Sequence, residues 1–213
     1  MDKIYNGIVI FGEMGAGKDA LAEQFRNIRE KATIYNIGIL CREMMKVTKV
    51  NPIWKGCERY IGQTTADKLR EMDIDIMCDY IMALIYERGE AIYGWKDNQL
   101  EGEAYIKEFL RRISLIRDFE LSIIVGGRTL TDLKYWKAKN YLIVGITVSD
   151  EVRKNRLINR DGKEIAQNSS STHNTESDVP KIINELCDEV IVNDGSLSDL
   201  KNLAVKLLKK YNF

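Results

Sequence analysis

The sequence predicts an α/β fold in which a parallel five-stranded sheet is flanked by helices and carries a phosphate-binding loop after its first strand. Short apolar segments alternate along the chain with segments of helical periodicity. The octapeptide Gly12–Asp19 fits the pattern G-x-x-x-x-G-K-[ST] at every defined position except the last. Glycine or arginine also follows most of the predicted strands, at the edge where such sheets bind ligands.

Five short apolar segments are predicted to be strands, and their separation by helices favours parallel pairing. The strands are Ile8–Phe11, Thr33–Ile37, Leu121–Val125, Leu142–Val148 and Glu189–Val192. Apolar spacing predicts the helices Ala20–Glu30, Leu40–Lys46, Thr64–Glu87, a segment with Tyr105, Phe109, Ile113 and Ile116, Asp132–Lys139, Asp150–Asn159 and Leu197–Lys210. We expect Gly89 and Gly94 to interrupt the helical pattern of the middle of the chain.

Composition limits the class of protein. Lys and Arg number 32, as do Asp and Glu, so bulk binding to nucleic acid or to an anionic membrane is disfavoured. The cysteines lack metal-ligand spacing and are expected to be reduced thiols of a cytoplasmic protein; they are Cys41, Cys57, Cys78 and Cys187. The phosphate loop begins within a dozen residues of Met1, which leaves no room for a signal peptide, and no apolar run reaches membrane-spanning length. The sequence leaves a homodimer open.

The phosphate loop predicts binding of a nucleoside triphosphate. Its glycines allow successive backbone N–H groups to point at a polyphosphate, and the following helix directs the positive end of its dipole at the same oxygens. Lys18 adds a mobile positive charge. We expect the triphosphate to contact the whole loop, which consists of Gly12, Glu13, Met14, Gly15, Ala16, Gly17, Lys18 and Asp19. A glycine-rich turn with a solvated lysine is the alternative.

Three arginines after the fourth strand are spaced by three and four residues, which places Arg153, Arg156 and Arg160 on one helix face. The planar guanidinium of one arginine can donate hydrogen bonds to two phosphate oxygens at once, and phosphoryl transfer needs positive charge around the reacting groups. The set is therefore a candidate lid over a triphosphate. A solvated, charged helix face is the alternative interpretation.

Two further arginines follow the second and third strands. Arg42 lies one helical turn past Gly38, and Arg128 comes directly after the third strand. Both are expected on the side of the cleft opposite the triphosphate, where they would suit a second substrate that carries phosphate. A surface ion pair of Arg42 with Glu43 or Glu30 is the alternative for that residue.

Several segments together carry a resemblance to a known family. They are Gly17-Lys18-Asp19, Gly127-Arg128, the helix Val152–Arg160, His173-x-Thr175-Glu176 and Val190–Leu197, which is similar to I-x-N-D-G-[ST]-L. With them the chain resembles the deoxynucleoside monophosphate kinases of tailed phages, within the wider P-loop nucleoside monophosphate kinase group. Separately, Gly38–Glu43 is similar to the G-x-x-x-R-E stretch that binds the monophosphate in adenylate kinases.

The resemblance implies phosphorylation of a (deoxy)nucleoside 5′-monophosphate by ATP and Mg²⁺. It implies one domain over 1–213, with a helical acceptor-binding region at about 38–120 and an arginine-bearing lid at about 150–178. Taken with the strand ends, it predicts catalytic roles for Lys18, Arg128, Arg156 and Arg160. It predicts further ATP contacts by Arg153, Asn193 and Gly195, and substrate contacts by Gly38, Arg42, Arg128 and Glu176.

One departure from that family concerns the third strand. Adenylate kinases and many phage relatives carry Asp just before the arginine, whereas this chain has Gly126-Gly127. We expect Asp19 to hold Mg²⁺ instead, because carboxylate is a hard oxygen ligand. Two alternative functions stay open. One is another small-molecule kinase, of the dephospho-coenzyme A kinase or phosphomevalonate kinase type, and the other is a regulatory module that binds ATP without turnover.

Overall fold

The computed structural model describes residues 4–96, 100–161 and 178–213. Five strands form one sheet in the order β2-β3-β1-β4-β5, and every pairing is parallel. The strands are β1 (Gly7–Gly12), β2 (Ala32–Asn36), β3 (Leu121–Gly127), β4 (Leu142–Thr147) and β5 (Glu189–Val192). This confirms the predicted α/β P-loop fold.

Helices connect the strands and cover the sheet. They are α1 (Lys18–Ile28), α2 (Ile39–Met45), α3 (Glu58–Met72), α4 (Ile76–Tyr93), α5 (Gly102–Phe119), α6 (Leu130–Ala138), α7 (Asp150–Asp161), α8 (Val179–Lys181) and α9 (Leu197–Lys210). Two short 3₁₀ turns, Lys46–Lys49 and Pro52–Trp54, precede α3, and a π turn at Ile182–Leu186 follows α8. Among the helices of the described residues, none is both long and apolar enough to cross a membrane.

The core lies on both faces of the sheet, because every residue of β1 is buried. Alternate residues of this strand point to opposite faces. Ile8 and Ile10 pack with α1 and α9, whereas Val9 and Phe11 pack with α4, α5 and α6. Full burial of one such side chain contributes about 1.5–3 kcal/mol, so the two clusters hold β1 at the centre of the sheet.

The prediction of one continuous helix over Thr64–Glu87 is wrong, because the helix is interrupted between Met72, where α3 ends, and Ile76, where α4 begins. The Asp73 carboxylate accepts the backbone N–H of Asp75 at 2.8 Å, which gives the backbone an alternative to helical pairing. Gly89 does not interrupt the pattern and lies inside α4, where a Cβ atom would come within 2.4 Å of the Trp95 ring. The helix ends instead at Gly94, whose φ of 64° is typical of a glycine cap.

The apolar stripe of α5 is core over most of its length. Ile113 and Ile116 are buried, and Phe109 packs against the cluster that they join. Tyr105, at the start of the helix, is 49% exposed and stacks on Phe109 at a centroid distance of 6.2 Å. The helices α3, α4 and α5 thus form a layer beside β3, next to the edge where the functional candidates lie.

Candidate phosphate-binding site and the neighbouring strand ends

The phosphate loop leads from β1 into α1. Gly15 and Gly17 adopt φ values of 84° and 101°, in the left-handed region that favours glycine. Gly17 is the N-cap of α1, and as a glycine it has no side chain that could cap the helix. The first N–H groups of a helix lack partners within the helix, so this end of α1 offers donors and a positive dipole end to an anion.

Lys18 lies along the start of the loop. Its Nζ donates hydrogen bonds to the carbonyl oxygens of Gly12, at 2.5 Å, and Glu13, at 2.9 Å. A Cβ atom on Gly12 would lie 2.6 Å from Cγ2 of Ile146 in β4, so glycine is needed where the loop passes that strand. These contacts hold the lysine ammonium within the loop, where phosphate oxygens are expected.

Asn193 joins the end of β5 to the phosphate loop. Its side chain is buried, and Nδ2 donates to the carbonyl of Ala16 at 2.8 Å. Its backbone N–H donates to Thr147 at 2.8 Å, and its carbonyl accepts Nη2 of Arg156 at 3.0 Å. Asn193, which the sequence predicts to bind ATP, is therefore placed to support the phosphate loop through its hydrogen bond to Ala16. Gly195 lies in the exposed turn that leads into α9.

The helix α7 packs on the phosphate loop. A Cβ atom on Gly15 would lie 3.1 Å from Leu157 and 3.2 Å from Cγ of Arg153. The Arg153 guanidinium lies 3.5 Å from the Glu13 carboxylate and 3.1 Å from that of Asp150. Two predicted lid arginines, Arg153 and Arg156, thus lie beside the loop in this structure.

Part of the predicted lid falls outside the described residues. This applies to the side chain of Arg160, whose backbone belongs to α7, and to His173, Thr175 and Glu176.

The ends of β2 and β3 lie together at the same edge of the sheet. The backbone N–H of Ile37 donates to Val125 at 3.0 Å, and that of Gly38 donates to Oδ1 of Asn36 at 2.9 Å. Gly126 has a φ of 94° and passes close to the Asn36 amide. Gly38 at the start of α2 and the turn after β3 are therefore neighbours. Arg42 on α2 and Arg128 after β3 are both exposed there.

Asp132 organises the turn after β3. The buried carboxylate accepts the backbone N–H groups of Arg128, at 2.9 Å, and Thr129, at 3.1 Å, and its other oxygen faces the Cys78 thiol at 3.6 Å. Thr129 and Asp132 form the capping box of α6. The sequence signal was present as T-x-x-D before an apolar segment, although it indicates a helix start and not a ligand site.

Arg70 on α3 is the residue that the sequence analysis missed. Its Nη2 lies 4.0 Å from Oδ2 of Asp132, and its side chain is 19% exposed. Burial raises the pKa of the Cys41 thiol on α2, and the positive charges of Arg70 and Arg128 oppose that rise. Both arginines therefore lie near Cys41, the neighbour of Arg42. Arg70 lies in the middle of the sequence of α3, where no ligand-binding motif surrounds it, so no local sequence pattern predicts a functional role for this residue.

A magnesium ion at this site would have few protein ligands. Asp19 is exposed in the first turn of α1. Within the part of the chain that the structure describes, no group of three or more His, Cys, Asp or Glu side chains could hold a metal ion. Mg²⁺ is commonly held by one or two carboxylates together with substrate phosphates, so a single Asp19 beside a phosphate loop fits this ion.

Comparisons with known proteins found similarity among solved structures only. No family model matches the chain, and no curated protein matches it by sequence. An uncharacterized protein from Eubacterium ventriosum is 13% identical, with 98% of this chain and 99% of that chain covered and a TM-score of 0.50.

Two kinases were also found among the solved structures. Shikimate kinase from Acinetobacter baumannii, in complex with shikimate, is 12% identical over 98% of this chain and 93% of its own, with a TM-score of 0.44. A sugar kinase from Janibacter sp. is 13% identical over 95% and 94%, with a TM-score of 0.44. At such identities, similarity to a solved structure concerns the fold alone. This chain has a P-loop α/β architecture.

Proposed function

We propose that this protein transfers the γ-phosphoryl group of ATP to a (deoxy)nucleoside 5′-monophosphate, which yields ADP and the nucleoside diphosphate. The observation that carries the proposal is a pair of cationic groups at one edge of the sheet. Lys18 belongs to the phosphate loop and Arg153 lies beside it, whereas Arg70 and Arg128 both lie next to Asp132, at the turn that follows β3. Binding of ATP alone requires only the first group, so the second supports a second anionic substrate.

On the ATP side, the loop amides and the start of α1 would surround the phosphates, with Lys18 as a point charge. Arg153 now pairs with Glu13, and phosphate oxygens would compete with that carboxylate. Arg156 gives one nitrogen to Asn193 and retains other N–H groups for the transferring phosphoryl. Arg160 follows one turn later in α7 and is assigned the same role. Mg²⁺, when bound, would neutralise charge on the phosphates, and Asp19 would hold it.

On the acceptor side, Arg42 and Arg128 would bind the monophosphate and direct one of its oxygens at the γ-phosphorus, with Gly38 at the start of α2 and Glu176 as further contacts. Phosphoryl transfer of this type depends on positioning and charge stabilisation and needs little acid–base chemistry. A site rich in arginine therefore suits the reaction.

A regulatory module that binds ATP without turnover is the second candidate. One observation favours it, because Gly126 and Gly127 leave the end of β3 without a carboxylate, and the nearby Asp132 accepts backbone N–H groups. The second group of arginines argues against it, since an ATP sensor has no need of an acceptor site.

The test is release of ADP across an acceptor panel, with ATP binding measured separately by calorimetry. The panel contains the ribo- and deoxyribonucleoside monophosphates, dephospho-coenzyme A and phosphomevalonate. We expect Mg²⁺-dependent ADP release with at least one monophosphate, and its loss in Lys18→Met. Release with only one of the other two acceptors would identify a different kinase. Tight ATP binding without release for any acceptor would identify the regulatory module.

A further inference from the structure

Arg42, Arg70 and Arg128 lie on the acceptor side, and Arg70 is the one of these three that is not exposed. The sequence predicts no role for it. We propose that Arg70, together with Arg128, binds the anionic group of the acceptor, and that Asp132 is the positioning residue for both arginines. This inference rests on the proposed function, because that function supplies the acceptor.

The first argument is that Arg70 is withdrawn from solvent. Its side chain is 19% exposed. Arg112 on α5 is even less exposed, at 8%, and its guanidinium donates hydrogen bonds to Glu108 and to the carbonyl of Lys96. Arg88 on α4 and Arg111 on α5 are 50% and 56% exposed. Both of those arginines donate hydrogen bonds to a glutamate, Glu120 and Glu108 respectively. An arginine loses hydration when it is withdrawn in this way and needs a compensating partner.

The second argument is that Asp132 compensates the charge of Arg70 without occupying its donors. Their closest atoms are 4.0 Å apart, which is an ion-pair distance and too long for a hydrogen bond. Oδ2 of Asp132 already accepts two backbone N–H groups, from Arg128 and Thr129. Within residues 4–96, 100–161 and 178–213, the Arg70 guanidinium makes no hydrogen bond. Its planar set of N–H groups therefore remains available for an anion.

The third argument is location. Asp132 fixes the turn from which Arg128 projects, so one carboxylate determines the positions of both arginines. The charges of both also act on Cys41, which lies beside Arg42 on α2. The carboxylate of the exposed Asp67, three residues before Arg70 on α3, raises the pKa of the same thiol, whereas the two arginines lower it. Arginine pairs suit a phosphate monoester, and a carboxylate suits hydroxyl or amino groups of the same molecule.

The test separates acceptor binding from ATP binding. The variants are Arg70→Met, Arg70→Lys and the control Arg59→Met, which removes an exposed arginine about 16 Å away on the same helix. Arg70→Met alone removes the positive charge nearest to the buried Asp132 carboxylate, which could destabilise the fold. The double variant Arg70→Met/Asp132→Asn removes both charges and so controls for that effect. Initial rates are measured with ATP and acceptor varied separately, and thermal shifts are recorded with monophosphates, sugar phosphates, hydroxylated carboxylic acids and inorganic phosphate.

We expect Arg70→Met and the double variant to raise the acceptor KM by about 10- to 100-fold while the ATP KM changes less than about twofold. Arg70→Lys should be intermediate, since it retains the charge without the planar donors, and Arg59→Met should match the wild type. An unchanged acceptor KM, or an equal rise in both KM values, would overturn the inference.

The two proposals fail in different ways. If the wild type releases ADP with no monophosphate, the proposed function fails, and the thermal shifts then decide the role of Arg70. With the phosphate loop saturated by ATP, an anion that stabilises the wild type further must lose that effect in Arg70→Met, whereas stabilisation by ATP itself is retained. Stabilisation retained in that variant, or no stabilisation of the wild type by any anion other than ATP, would overturn the assignment of Arg70.

Discussion

A Cβ atom on Gly17 would lie 2.4 Å from Nδ2 of Asn193, and the same nitrogen donates a hydrogen bond to the carbonyl of Ala16. The end of β5 thus fits against the phosphate loop with no space for one additional methyl group. The geometry of the loop depends on this fit as well as on its own glycines.

Replacement of Gly17 by Ala should abolish ATP binding and destabilise the fold. The φ of 101° costs an L-residue about 1–2 kcal/mol, and the new methyl group would also displace Asn193. Gly56→Ala is the matched control, because Gly56 has a φ of 79° and, apart from its chain neighbours, no described residue has an atom within 4 Å of the added Cβ. Calorimetric ATP titration and urea unfolding measure both effects. Equal loss of stability in the two variants would show that contact with Asn193 is unimportant.

Replacement of Asn193 by Ala should lower the free energy of unfolding by about 1–3 kcal/mol, because a buried hydrogen bond is lost and the Ala16 carbonyl remains without that donor. The ATP KM should rise as the loop loosens. Asn193→Asp should be worse, since a carboxylate would face the carbonyl oxygen. Asn202→Ala on the exposed face of α9 is the control. An unchanged ATP KM in both Asn193 variants would contradict a supporting role for the side chain.

Replacement of Asp19 by Ala should lower Mg²⁺-dependent turnover at least tenfold and shift the Mg²⁺ titration to higher concentration, since the carboxylate is proposed to hold the ion. Asp19→Ser should recover part of the activity, because a hydroxyl is the usual group at this position of the motif. Glu23→Ala, one turn later on α1, is the control. Unchanged turnover in Asp19→Ala would remove this residue from the coordination of the metal.

Charge reversal at Arg128 should eliminate acceptor binding and leave ATP affinity largely intact, because Arg128 follows β3 whereas the phosphate loop follows β1. Lys134→Glu provides the same charge change at an exposed position of α6. Separate calorimetric titrations with ATP and with the acceptor check the prediction. If Arg128→Glu loses ATP affinity instead, the assignment of the two sides of the cleft is wrong.

Stability should decline between pH 10 and pH 12, in part through Tyr35. Burial, reinforced by the charge of Glu120, raises the pKa of Tyr35 to about 12 from 10.0. Between these two pKa values the folded state keeps a proton on Tyr35 that the unfolded state releases. The contribution of this group to stability is therefore complete below pH 10 and is lost as the pH rises towards the pKa of Tyr35 in the folded protein. Tyr35→Phe should make this decline shallower in urea unfolding across that range. Tyr60→Phe, at an exposed position, is the comparison, and equal slopes for the two variants would exclude the effect.

The sequence predicted what depends on local pattern. The central strands β1 and β4 carry continuous apolar segments, and the phosphate loop is a contiguous motif, so the fold followed from short stretches of chain. The break between α3 and α4 was missed because Asp73-Ile74-Asp75 contains neither glycine nor proline. The apolar spacing continues across it, whereas the helix ends where the Asp73 backbone becomes extended, with a φ of −154°, and its side chain accepts the Asp75 backbone N–H.

The parts of the site that could not be predicted are contacts between distant segments. Arg70 and Asp132 are separated by the whole of α4, α5 and β3, and neither belongs to a ligand motif. Asn193 is predicted to contact ATP from its resemblance to a family ending, and the structure adds a hydrogen bond from its amide to the loop backbone that the sequence did not indicate. Sequence spacing does not reveal that the buried Asn193 amide forms a hydrogen bond with the backbone of a loop so distant in the chain.

The hydrogen bond between Ala16 and Asn193 has a consequence for synthesis, because it joins residues 177 positions apart. β1 pairs with β3 and β4, both of which are also translated later. The octapeptide therefore leaves the ribosome long before the strands that shape it. A nascent chain that stops short of β5 would contain the entire motif and still lack the hydrogen bond from Asn193 to Ala16. Because a ligand stabilises only the state that binds it, ATP should act late, on the closing step of folding, by favouring chains in which β5 has joined the sheet.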